Sequence, residues 1–297
     1  LASLAFQERL PFISLLEGSG ERTSNALSRH PYAPSDMQIL AKLSGIVPTV
    51  ALIVGPSAGH GAITGMLKDF IVMTSDACLF AAGPPLVEAA LGEKISKQAL
   101  GGAAMHTSVS GVAHNQVDDF LQGVRLVRQY LSFFPASAYQ LAAQKQSALS
   151  QSRSLVEVFD IVPNDDRIAY DMHKLIDLVV DDSDDCIEIQ PGYGRSIITS
   201  LARIGGYPVA IVANQPSVQA GAITAEAADK AAHFIDVCNA FHLPIVFLAD
   251  NPGVMSGSSA EQAGTLRSAA RMYAAQSSIE SPKLHVTIRK AFGFGSS

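Results

Sequence analysis

The sequence predicts an α/β protein made of two related units, each built on a parallel sheet. Three observations carry this. Short apolar runs, fit for strands buried on both faces, alternate with helical stretches. One strand–turn–helix–strand–turn block is written twice: Pro11 to Gly59 spans 48 residues and Pro244 to Gly293 spans 49. Of the 297 residues, 48% are apolar and 16% charged, enough to fill two domain cores and to point to buried parallel sheets or a large subunit interface.

The elements follow in order. LASLAFQERL reads as the inside of a helix, and LPFISLLEGSG as a strand, an acidic residue (Glu17) and a turn ending at Gly20. SDMQILAKLSG opens on a serine cap with helical periodicity. VPTVALIVGPSAGHG is a second strand and glycine turn, and MLKDFIVMTSDACLFAAGPPLVEAAL an arm that the second copy lacks. LVRQYLSFFP and the Gln/Ser-rich QLAAQKQSALSQSRS close a first domain at residues 1–155, leaving 156–297 as the second. There, Asp181 to Asp185 lacks EF-hand spacing and reads as a solvated turn. GGYPVAIVAN and AGAITAEAADKAAHFIDVCNAF form a strand, turn and helix with no counterpart in the first copy. LPIVFLADNPG, the Ser-capped helix SAEQAGTLRSAARMYAAQ and SPKLHVTIRKAFGFG then repeat the block. Symmetry calls for roughly 30 further residues before Leu1 and a similar number after Ser297, so both domains are expected to be incomplete.

Several function classes are excluded. A net charge of −6 argues against nucleic-acid binding. No apolar run reaches the length of about 18 residues needed for a membrane span, and Leu1 opens no signal peptide. Cys78, Cys186 and Cys238 are far apart, which disfavours a zinc or disulfide framework. It fits a reducing cytoplasm, or the mitochondrial matrix in a eukaryote. GxSxG, Walker and GxGxxG signatures are absent. GGAAMHTSVSGVAH fits no zinc pattern and reads as a glycine-rich loop shaping a pocket or an interface, so no metal is expected.

The chemistry is expected at the two glycine turns, GPSAGHGAIT and AFGFGSS. Glycines let backbone N–H groups approach a ligand, and a turn opening a helix aims unpaired N–H donors at it. Such a pocket binds phosphate or stabilises an oxyanion. His60 lies between Gly59 and Gly61; Phe294, with no proton to offer, takes the equivalent place between Gly293 and Gly295. The backbone N–H of His60, rather than its imidazole, is therefore the expected contributor.

In chain order, GPSAGHGAITGMLKDFIVM, LFAAGPPLVEAALGEKISKQALGGAAMHTSVSGVAHN, VPNDDRIAYDM, ARIGGYPVAIVANQPSVQAGAIT, DKAAHFIDVCNAFHLPIVFLADNPG and TIRKAFGFG resemble the biotin-dependent acyl-CoA carboxylase carboxyltransferase (β) subunits. The resemblance covers nearly the whole chain. It implies two crotonase-like (ClpP/crotonase) spiral domains of repeated βαβ units. It also implies transfer of a carboxyl group from carboxybiotin, held on a carrier protein, to the α carbon of an acyl-CoA through an enolate. The biotin ureido nitrogen serves as base, and two backbone oxyanion holes hold the developing charges. By this resemblance the donors are Gly59 and His60, then Phe294 and Gly295. Gly18, Ser19, Gly20, Gly61 and Gly293 shape the substrate-binding turns. The family's Gly-Gly-Ala stands here as Gly-His-Gly and Gly-Phe-Gly, and Ser297 stands where propionyl-type members carry Asp. AGPPLV is similar to the methylcrotonyl branch, and VPNDDRIAYDM to the propionyl and acetyl branch, so the acyl group stays open. Implied partners are a biotin carboxylase, a biotin carboxyl carrier and further copies of the chain, with a dimer as minimum and a hexamer common. A malonyl-type-CoA decarboxylase, a crotonase-like hydratase or isomerase, and a non-catalytic CoA-binding paralogue are the rival readings.

Overall fold

Packing divides the chain into two units in the computed structural model, which describes residues 1–18, 36–147 and 154–293. One unit holds Leu1–Leu131 and Ala136–Tyr139; the other holds Ser132–Pro135 and Gln140–Ser297.

The first unit runs α1 (Ala2–Glu8), β1 (Phe12–Gly18), α2 (Asp36–Ala41), β2 (Thr49–Ala58), α3 (His60–Met66), β3 (Phe70–Thr74) and β4 (Cys78–Phe80). It continues through α4 (Pro84–Leu91), α5 (Lys97–Gly101), α6 (Ala103–Ser108), β5 (Asn115–Val117) and α7 (Phe120–Leu131). Its sheet has the order β1-β2-β3-β5, with β4 also on β2, and every pairing is parallel. β3 is buried along its whole length, as the apolar run of residues 70–73 leads one to expect. Ala51 and Ile53 of β2 pack with Ala62 of α3 and with Ile71 and Met73 of β3; burying each of the isoleucine and methionine side chains contributes about 1.5–3 kcal/mol.

The second unit runs α8 (Val158–Ile161), α9 (Met172–Val179), β6 (Ile187–Glu188), β7 (Ile197–Ile204), β8 (Tyr207–Asn214), α10 (Ala225–Ala240), β9 (Ile245–Asn251), α11 (Ser258–Gln262), α12 (Thr265–Ser277) and β10 (Lys283–Ala291). Strand order is β10-β9-β8-β7-β6. The sheet is mixed, since β7 pairs antiparallel with both β6 and β8. Gly205 and Gly206, with φ of 61° and 80°, form the two-residue hairpin between β7 and β8. The Ser-capped helix expected after Gly253 is instead two helices broken at Ala263–Gly264, and the first is capped by Gly257 without a side-chain bond.

The repeat holds at single-residue level. Phe12 pairs with Thr49 and Ile245 with Lys283, and the preceding proline carbonyls, of Pro48 and Pro282, accept from Phe12 and Ile245 at 2.9 Å in both units. In each pair the register then slips by two residues, to Gly18–Ser57 and to Ala291–Asn251. Asp250 is thus the twin of Glu17, Arg289 of Gly55 and Gly293 of Gly59.

Residues 140–147, placed with the first domain on sequence grounds, pack with the second unit. Lys145 N–H donates to the Gly206 carbonyl at 2.9 Å, and its ammonium pairs with Asp185 at 3.2 Å. The acidic run is also more than a solvated turn. Asp181 accepts from the N–H groups of Gly205 and Gly206, and Asp185 pairs with the buried Arg203.

His173, on α9, is gripped by Glu188 at 2.9 Å and by the helix-capping Asp171 at 2.7 Å. The Glu188 bond, then Asp171, hold its pKa up at about 9, above the ordinary 6.5. A group raised in the folded state stabilises fully below its unfolded pKa, and that contribution disappears as pH rises through the folded value. The melting-temperature gap between wild type and His173→Gln should therefore be full below about pH 6.5 and closed above about pH 9. A gap persisting at pH 10 would assign the effect to packing.

Candidate active site

The first turn is built by β2 running to Ala58 beside β4, so that Pro56–Ala58 pair with Cys78–Phe80. The ladder's next bond takes the Gly59 N–H, which donates to the Phe80 carbonyl at 3.2 Å. Gly59 then turns the chain with φ 60° and ψ −122°, and α3 opens at His60. Gly59 is therefore already engaged, in contrast to its expected role as a donor. Among the described residues no acceptor takes the N–H groups of His60, Gly61 or Ala62.

The His60 side chain points to Asp36, with Nε2 at 2.9 and 3.0 Å from the two carboxylate oxygens. The bond from His60 is the largest reason the Asp36 carboxyl sits below the usual carboxylate range. The imidazole is thus tied to α2, while the backbone N–H beside it is left open. Gly61 supplies a carbonyl to the Thr64 hydroxyl at 2.9 Å. Gly18 ends β1 at the slipped register; Ser19 and Gly20 lie outside the described residues.

The second turn follows the same plan. β10 ends at Ala291, Phe292 N–H reaches the Asn251 carbonyl at 3.4 Å, and Gly293 takes φ 56°, close to that of Gly59. Asn251 accepts from Gly253 N–H at 2.9 Å and donates to Asn214 at 3.0 Å, which fixes the opposing strand end. Phe294 and Gly295, the donors expected here, lie outside the described residues, as does Ser297.

Sequence reasoning missed the group beneath this turn. Asp250 is fully buried, and one carboxylate oxygen accepts from Arg289 Nε at 2.8 Å and from the Tyr170 hydroxyl at 2.9 Å. Burial and the facing Asp250 push the Tyr170 phenol well up, so it stays a donor. Arg289 Nη1 also donates to the carbonyls of Pro163, Asp165 and Ile168, at 3.3, 3.0 and 3.0 Å. The available signal was the RK pair before the second glycine turn and the Asp before Asn-Pro-Gly.

A cavity of about 340 Å³ opens on the second sheet beside Phe247, Asn251, Met272 and His285. Among the described residues no His/Cys/Asp/Glu group is arranged to hold a metal, and no helix is long and apolar enough to cross a membrane. His106 and His114 serve backbone groups, those of Leu79 and Ile71.

Residues 1–296 match the family model described as a carboxyl transferase domain. An uncharacterized carboxylase of Bacillus subtilis, YngE, is 38% identical over 99% of this chain and 58% of its own. The methylmalonyl-CoA carboxyltransferase 12S subunit of Propionibacterium freudenreichii is 36% identical over 95% of this chain and 54% of its own. A transcarboxylase 12S crystal structure, a hexamer assembly with methylmalonyl-coenzyme A bound, superposes with a TM-score of 0.92 at 35% identity, covering 98% of this chain and 57% of that one. The chain thus spans somewhat more than half the length of these relatives.

Proposed function

The chain belongs to the carboxyl transferase domain family, and on that premise we propose that it carries the carboxyl-transfer site of a biotin-dependent acyl-CoA carboxylase, with one oxyanion pocket per unit. The carrying observation is the twinned turn: the same two-residue slip, the same positive-φ glycine, and N–H groups at His60 and Gly61 that no described residue accepts from. Two such pockets fit a reaction that develops one oxyanion on a thioester carbonyl and one on a ureido oxygen. Carboxybiotin, carried by a separate protein, would supply the carboxyl group and the proton-accepting nitrogen, so no side-chain base is needed. The first pocket is assigned to the N–H groups of His60 and Gly61, one residue later than the sequence suggested. The second is assigned from sequence to Phe294 and Gly295. Each donor lowers the barrier by about 2.7–4 kcal/mol when it meets the oxyanion in the transition state. Two crotonase-like spiral domains, a homo-oligomer, and separate biotin carboxylase and carrier subunits complete the reading. A reducing compartment suits three free cysteines.

The test is carboxyl transfer from malonyl-CoA and methylmalonyl-CoA to free biotin, catalysed by the full-length gene product and followed by release of the shorter acyl-CoA. Biotin-dependent release is expected. Release without biotin would identify a decarboxylase, and CoA binding with no turnover on either substrate a non-catalytic paralogue. His60→Ala should retain activity within about threefold; a loss beyond about 10³-fold would overturn backbone donation in favour of acid–base work by the imidazole.

A further inference from the structure

Arg289, Asp250 and Tyr170 are a buried ionic group with an unusual balance. The Arg289 side chain is 9% exposed and that of Asp250 0%. One Asp250 oxygen and one Arg289 nitrogen find no hydrogen-bond partner among the described residues. A buried pair so incompletely satisfied is weak evidence for stability, because its desolvation offsets much of its attraction. Its position suggests a different role. Asp250 follows Ala249, the last in-register residue of β9 before the slip, and Arg289 lies inside the two-residue slip of β10, four residues before Gly293. The same guanidinium gathers three carbonyls of the 163–168 segment and lies over the Tyr170 ring at 4.7 Å. Lys290 adds a bond to the Asp166 carbonyl at 2.9 Å.

Among the described residues the first unit shows no such lock. At the twin positions stand Glu17, exposed, and Gly55, where a Cβ would lie 2.7 Å from a Glu17 carboxylate oxygen. The slip exists in both units, and among the described residues a buried ion pair spans it in the second alone. We propose that Arg289 is a positioning residue for the second turn, holding the slip of β10 against Asp250 and the 163–168 segment so that Gly293 is presented in one geometry. Arg289 therefore governs whichever ligand the second turn serves and leaves the ligand of the first turn untouched. This rests on the two-pocket reading above for its kinetic consequence, but not for its structural one.

The experiment compares wild type, Arg289→Met and Tyr170→Phe as full-length proteins. Backbone amide exchange is read at Phe292 and Gly293, and at residues 58–62 as the internal control. Arg289→Met should speed exchange at the second turn at least about tenfold, with the first turn unchanged. Tyr170→Phe, which removes one bond to Asp250, should give a smaller change in the same place, and it carries the test if Arg289→Met fails to fold. Equal acceleration at both turns, or none at either, overturns the proposal. In the transfer assay Arg289→Met should lower kcat about 10²-fold, with KM altered for only one of acyl-CoA and biotin. A kcat within twofold of wild type, or equal shifts in both KM values, also overturns it. If wild type shows no biotin-dependent transfer, the two-pocket reading fails, and the exchange data alone decide the role of Arg289.

Discussion

Replacing Gly59 by alanine should reduce biotin-dependent carboxyl transfer by about 10²–10³-fold, the value of one oxyanion donor. Gly59 holds φ 60° and ψ −122°, a region essentially closed to residues with a Cβ. A strained residue there costs on the order of 1–3 kcal/mol. The chain can relieve that strain only by rotating the peptide that follows, which swings the His60 N–H away from its open direction. It would also loosen the bond from Gly59 N–H to the Phe80 carbonyl that ties the turn to β4. Gly61→Ala is the contrasting variant. Its added methyl would stand 3.2 Å from the Ser57 hydroxyl, a side chain able to move, and its φ is not left-handed. Activity within about threefold is expected there. Initial rates with malonyl-CoA and biotin, beside melting temperatures for both variants, separate the two. Gly59→Ala keeping more than a third of the wild-type rate would remove this turn from the mechanism.

The repeat was legible because its rules are local. A proline before an apolar strand, then a glycine where the chain must turn left-handed, are readable within a few residues, and both glycines took that conformation. The hairpin ahead of β8 was legible in principle, through the Gly205–Gly206 pair between two apolar runs. It was obscured because alternating strands and helices suggest parallel crossovers alone. What lay out of reach were partners far apart in sequence. Nothing local in Gly59 says that Phe80 will take its N–H. Tyr170 and Arg289 meet Asp250 from 80 and 39 residues away. The acidic run likewise looked solvated until the buried Arg203 supplied a counter-ion from a strand whose antiparallel pairing was unforeseen.

Asp250→Ala should destabilise the protein by about 3–5 kcal/mol, since it leaves the Arg289 charge buried without its carboxylate. For a unit of this size that lowers the melting temperature by roughly 10 °C. Asp250→Asn keeps an oxygen for Arg289 and Tyr170 but removes the charge, so the loss should be smaller, about 1–3 kcal/mol. In the double variant Asp250→Ala with Arg289→Met neither charge remains, and part of the stability should return. The repeat supplies the control. Glu17 occupies the same register position as Asp250 but is exposed, so Glu17→Ala should change stability by no more than about 0.5 kcal/mol. The two sites share strand position and slip, and differ in burial. A difference of several kcal/mol between them therefore measures what burying an ion pair at this point of the fold entails. Equal effects at Asp250 and Glu17 would mean that the buried group adds nothing to the turn that the backbone repeat does not already provide.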